Sequence, residues 1–156
     1  MGCQTMGTVT YPDPKVVAEL TERFVPVKLE SAKNPEVSRK MNVRWLPGLV
    51  VCDADERPAH VQVGFLPPAD FLDEVTFGAA IVAMGEKRYD DADAGFARVA
   101  DRGGERAPDA AYWRGISAYR RSKDVADYRK HWSVLLEKWP ASQTARKVKP
   151  ILERPA

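Results

Sequence analysis

Two cysteines, Cys3 and Cys52, are the residues best suited to chemistry in this chain of 156 residues. A thiolate attacks disulfides, and thiol–disulfide exchange needs a pair: one thiol attacks and the other resolves the mixed disulfide. Two thiols are too few for a disulfide scaffold or a zinc site built of thiolates. Cys52 stands between Val51 and Asp53 in an apolar run, where a cysteine behaves as a small hydrophobe, so no catalytic part is expected of it. Cys3 has two open readings, a working thiol or an exposed thiol near the chain start without function. His60 and His131 are isolated, with no H-x-x-x-H or C-x-x-H spacing, so no metal is expected. Asp90, Asp91 and Asp93 lack the glycine and closing glutamate of a calcium loop and read as the solvated start of a helix. There is no phosphate loop, no G-x-S-x-G and no dinucleotide fingerprint, so no cofactor is expected.

The composition sets wider bounds. Hydrophobic residues make up 44% and charged residues 29%, a globular balance. No apolar run approaches the roughly 18 residues that cross a bilayer, which argues against a membrane partner. The net charge of +2 gives little support to nucleic-acid binding. Met1-Gly2-Cys3-Gln4-Thr5 has neither a basic region nor an apolar core, so a cytoplasmic protein is expected if Met1 is the true start. Charge divides near Gly78: residues 1–78 carry 8 basic and 11 acidic side chains, residues 79–156 carry 16 and 11. All strand signals fall in the first part.

Elements that would position these residues follow from local patterns. Pro12-Asp13-Pro14 opens a helix, since Asp13 can cap it and proline suits the first helical position. Val16, Val17, Leu20 and Phe24 give that helix an apolar face. Val25 to Glu30 alternates apolar and polar, which predicts a strand. Asn34-Pro35-Glu36 starts a short helix ending near Met41. Gly48 to Cys52 is a continuous apolar run, the pattern of a strand buried on both faces. Asp53 to Glu56 makes a turn into a second strand at 59–64, giving a hairpin. Pro67-Pro68 opens a helix through Phe71, Leu72 and Val75. Five more helices are predicted at 79–87, 89–102, 108–122, 124–138 and 141–153, broken by Gly103-Gly104 and by Pro140.

The first 78 residues resemble the thioredoxin-like family, in its bacterial type, entered just after the family's first strand. Three stretches carry the resemblance: Cys3-Gln4-Thr5-Met6, Tyr11-Pro12-Asp13-Pro14-Lys15-Val16 through Phe24-Val25-Pro26-Val27-Lys28-Leu29, and Val43-Arg44-Trp45-Leu46-Pro47-Gly48-Leu49. The implied fold class is α/β: a thioredoxin-like fold lacking its first strand, followed by an all-α helical-repeat segment. The resemblance makes Cys3 the second cysteine of a C-x-x-C motif, hence the resolving thiol, at a helix N-terminus whose dipole favours a thiolate. It makes Pro47 the family's cis-proline, with the backbone before it pairing with an extended substrate. Trp45 and Leu46 would then line a peptide groove, although a core or edge tryptophan is the competing reading for Trp45. The implied partner is a protein disulfide or dithiol. A Cys3–Cys52 disulfide is not expected, because the two lie apart in the fold. The attacking cysteine would fall three positions before Cys3, immediately ahead of Met1, and the family's central strand would precede it, between the 25–30 and 49–52 strands. A longer chain starting upstream is therefore expected.

Residues 79–156 resemble tetratricopeptide repeats. Tyr89, Ala92, Phe96 and Val99 match the second helix of one unit, and Ala111-Tyr112 with Ala118-Tyr119 match the first helix of the next. Tyr128, Trp132, Leu135 and Pro140 follow where its second helix and closing proline belong, with Gly115 and Ile116 exchanged relative to the usual order. Fewer than three repeats rarely stand alone, so these helices are expected to pack on the first half or on a second copy as a homodimer. Two readings remain open: a thiol–disulfide oxidoreductase with a helical module that selects a protein partner, or a non-catalytic adaptor built on the same fold.

Overall fold

The computed structural model describes residues 1–154. Its chain divides into two compact units, the first ending at Gly78 and the second beginning at Ala79. In the first, Gly2–Thr5 form a short helix, α1, that runs directly into a π-helical turn, Met6–Thr10, where the Tyr11 N–H donates to the Met6 carbonyl at 2.9 Å. Helix α2, Pro14–Arg23, starts where its capping residues dictate. The Asp13 carboxylate accepts the N–H of Lys15 at 2.9 Å and of Val16 at 3.2 Å, satisfying two donors that an uncapped helix leaves open. Helix α3 spans Pro35–Lys40.

Strands β1, Gly48–Cys52, and β2, Pro58–Val63, pair antiparallel as a hairpin with an irregularity between Val51 and Cys52. The Asp53 carboxylate organises its turn by accepting the N–H of Asp55 and of Arg57. The chain then forms α4, Pro68–Gly85. Met6, Val16, Leu66, Phe71 and Val75 make the buried core of this unit, with Tyr11, Leu20, Phe24, Leu49 and Leu72 packed around them.

Three expectations are corrected. Val25–Glu30 is not a strand: a strand exists only against a neighbour, and none lies beside it among the described residues. Its alternating apolar side chains consequently face solvent, Val25 being 92% exposed, with Val27 and Leu29 also exposed. Strand β1 is not buried on both faces; only Val51 is buried, and β1 has a ladder on one edge alone. Finally, the helices expected on either side of Gly78 are one continuous helix. Gly78 is a packing position and not a break: a Cβ there would stand 2.6 Å from the Val51 side chain and 3.2 Å from the His60 Cβ.

In the second unit, α5 (Tyr89–Arg102), α6 (Ala107–Ser122), α7 (Val125–Lys138) and α8 (Gln143–Leu152) each pack on the next. Small residues permit the approach: Ala92 and Gly95 of α5 and Ala110, Ala111 and Ala118 of α6 are buried, as is Phe96. Between α6 and α7 the Trp132 ring stacks on Tyr112 with centroids 5.2 Å apart, and its indole N–H donates to the Tyr112 carbonyl at 3.1 Å. Gly115 leaves room for that ring, since a Cβ would come within 2.6 Å of the indole nitrogen. Gly103, at φ +72°, ends α5, while Asp124 and Ser142 cap α7 and α8. No helix among the described residues is long and apolar enough to cross a membrane.

Two outcomes follow. Gly78→Ala gains helix propensity but forces Val51 to move, so the net change is a loss of about 1–2 kcal/mol, read as a lower urea midpoint. His131 is half-buried; burial first, and the nearby Arg114 guanidinium second, push its imidazole below the ordinary value. The stability it contributes is complete above the ordinary imidazole range and is lost as pH falls through the lowered value. Urea midpoints measured from pH 7.5 to pH 5 should fall more steeply in the native chain than in His131→Asn.

Candidate functional site

The first helical run is fastened to the segment that follows β2. The buried Thr10 hydroxyl donates to the Leu66 carbonyl, and the Leu66 N–H donates to the Met6 sulfur at 3.4 Å. Positions four apart share a helix face, so Met6 and Thr10 together hold the backbone of Leu66, one on each of the two peptide units that flank it. This ties the first helical run, which also carries Cys3, to the segment between β2 and α4.

The closest approach is at Gly2. A Cβ on Gly2 would stand 2.8 Å from Cδ of Pro47 and 3.9 Å from Cβ of Phe65. Only a residue without a side chain lets the Pro47 ring lie this close to the helix that carries Cys3. Pro47 is buried, and its carbonyl accepts the Gly64 N–H at 2.8 Å. The Leu46–Pro47 peptide bond is cis. Next to this buried ring the chain turns outward: Trp45 is 74% exposed, and Leu46 and Phe65 are exposed as well. Cys3 is exposed and carries a free thiol.

The four residues singled out in the sequence thus lie on two segments in contact, with Gly2 against Pro47, Cys3 following Gly2, and Trp45 and Leu46 leading into Pro47. Sequence reasoning missed Gly2, Phe65 and Tyr11. The glycine before a cysteine, and the Gly64-Phe65 break after an alternating strand, were the available signals. Tyr11 packs edge-on against Phe71 with centroids 6.0 Å apart, and the Lys28 ammonium lies 5.8 Å from its ring centre. Burial raises the Tyr11 phenol, and the Cys3 charge adds to that rise.

The second thiol is placed differently. Cys52 is half-buried on β1, and its thiol donates to the Met41 sulfur at 3.8 Å. Burial first, then Asp53 and Glu56, raise this thiol against an opposing effect of Lys40. A thiol held protonated is a poor nucleophile. Cys3 and Cys52 are both free, with no disulfide between them.

His60, isolated in the sequence, is not isolated in space. Its Nε2 lies 2.6 Å from the Glu74 carboxylate, and its ring packs on Phe77. The pair is nearly closed to solvent and joins β2 to α4, a structural tie rather than a reactive site. The aspartates that open α5 are engaged in ion pairs, Asp90 with Arg121, Asp91 with Arg88 and Asp93 with Arg114. No group of three metal-binding side chains occurs among the described residues.

The clamp on Leu66 can be tested. Thr10→Val keeps the volume but leaves the buried Leu66 carbonyl without its donor, which should cost about 1–3 kcal/mol in urea unfolding. Thr8→Val, on the exposed side of the same run, should cost little.

A family model described as a thioredoxin-like domain matches residues 1–79. No curated protein and no solved structure matches the chain.

Proposed function

The chain belongs to the thioredoxin-like domain family, which accounts for residues 1–79, and from that premise we propose that it works in thiol–disulfide exchange with a protein substrate. Cys3 is the resolving thiol in this reading, and Trp45, Leu46 and Pro47 hold the substrate backbone. The observation that carries it is the contact of Pro47 with Gly2, which brings the segment of the exposed Cys3 against the loop of the exposed Trp45 and Leu46. The reading requires an attacking thiol three positions ahead of Cys3. That thiolate would attack one sulfur of the substrate disulfide, expelling the other as a thiolate and forming a mixed disulfide. Cys3 would then attack the attacking cysteine's sulfur and release the second substrate thiolate, which takes its proton from water. The site is left as a disulfide that a dithiol reductant returns to the working state. No cofactor is needed for this two-electron exchange.

A second reading is favoured by the placement of Cys52: among the described residues, no other thiol stands ready for Cys3. On that basis the domain is a scaffold without catalysis, and the tetratricopeptide-like helices of the second unit carry the protein contact. The small buried residues Ala92 and Ala118, with Phe96 and Trp132 filling the space between helices, support that likeness.

Intact mass of the protein from its native cells, with and without thiol alkylation, separates the readings. Exchange chemistry expects a third alkylated cysteine, and a Cys3→Ser variant in the same cells should accumulate a protein adduct that dithiothreitol releases. Two alkylated cysteines and no adduct would overturn the exchange reading in favour of the adaptor.

A further inference from the structure

Aromatic side chains in the second unit form one unbroken row. The Trp113 ring meets Tyr112 edge-on with centroids 5.8 Å apart, and Tyr112 lies nearly parallel to Trp132 at 5.2 Å. Trp132 then meets Tyr128 at 4.6 Å, and Tyr128 meets Tyr119 edge-on at 5.8 Å. Each step falls in the range of aromatic rings in contact. The row runs between α6 and α7, which share the core of Ala111, Trp132 and Leu135. Its centre, Trp132, is 4% exposed, whereas Trp113 and Tyr119 at its ends are partly open to solvent.

Packing by itself asks only for apolar volume, which leucine and phenylalanine supply. Here every position of the row carries an indole or a phenol, the side chains that, after thiols, most readily lose one electron. Electron transfer falls off steeply with the gap between groups, so rings in contact exchange electrons readily. Trp132 donates its indole N–H to the Tyr112 carbonyl at 3.1 Å, and a carbonyl oxygen is too weak a base to take that proton. An oxidised Trp132 therefore stays a cation and draws an electron from a neighbouring ring. Tyr128 and Tyr119 are partly exposed, so a phenol there can give its proton to water as its electron leaves. Tyr112 has an indole on either side and relays in both directions, whereas the row stops at Tyr119.

We propose that this row is a path that carries one-electron oxidation across the helical unit, from Trp113 to Tyr119. A radical oxidant that takes an electron from Trp113 is itself reduced to its anion. Electrons then step toward Trp113 from Tyr112, Trp132, Tyr128 and Tyr119 in turn. Tyr119 is left as a neutral phenoxyl radical, its proton gone to water. The path spares Trp132, the ring on which the α6–α7 packing rests, and brings the radical to the surface, where dissolved reductants reach it. It is independent of the thiol chemistry.

Pulse radiolysis with the azide radical tests it, on the full chain carrying Trp45→Phe and Trp139→Phe so that Trp113 and Trp132 are the remaining indoles. The indolyl absorption should decay as the phenoxyl absorption rises, at a first-order rate independent of protein concentration. A nitroso spin trap, mapped by mass spectrometry, should mark Tyr119. Tyr128→Phe keeps a ring in place without its phenol and should lower the Tyr119 adduct at least about tenfold, the loss expected when a step becomes that much slower. Tyr89→Phe, outside the row, should leave the adduct unchanged. A transfer rate proportional to protein concentration, an indolyl radical that persists, or a Tyr119 adduct that survives Tyr128→Phe would overturn the proposal.

Discussion

Leu66 is held through both of its backbone polar groups by one helical run, its N–H on the Met6 sulfur and its carbonyl on the Thr10 hydroxyl, while its side chain sits in the core. Polar links in such a dry place are stronger than at the surface and expensive to lose. The rest of the first unit takes its reference from this clamp. It sets the chain start against the segment that leads into α4, and so brings Gly2 against Pro47 and Phe65. Without it, Cys3 would lie at the end of a frayed single turn.

That arrangement separates two cysteines of equal intrinsic chemistry. Cys52 is drawn into the hairpin, its thiol against Met41 and its ionisation opposed by burial and two carboxylates. Cys3 stands in the open beside a loop whose outer side chains, Trp45 and Leu46, are left exposed. Environment, not residue type, distinguishes the structural thiol from the available one.

The second unit solves a different problem. Its helices have no sheet to cover, so each buries its apolar stripe on the next, with alanine and glycine setting the spacing and aromatic rings filling it. Ion pairs are concentrated between α5 and α6, which leaves the later helices positively charged and partly apolar on their outer faces.

Features carried by local hydrogen bonding and periodicity are legible in the order of the residues. The Asp13 and Asp124 caps, the turn at Asp53, the β1–β2 hairpin and the helices α5 to α8 all arise from residues within a few positions of one another. The candidate loop at Pro47 is legible too, as is the division near Gly78, where charge and strand signals change together. Other features depend on neighbours distant in sequence. Val25–Glu30 has the alternation of a strand, but pairing needs a second edge that alternation cannot supply. The His60–Glu74 pair spans 14 positions, and the Gly2–Pro47 contact spans 45. A glycine reads the same in a sequence whether it ends a helix, as Gly103 does, or admits a neighbour's side chain, as Gly78 does. The sequence by itself determined which segments turn, cap and coil, because those choices are made by short-range backbone bonds. Tertiary structure alone decided which thiol is exposed and what stands beside it, because burial and long-range contact belong to the packed chain.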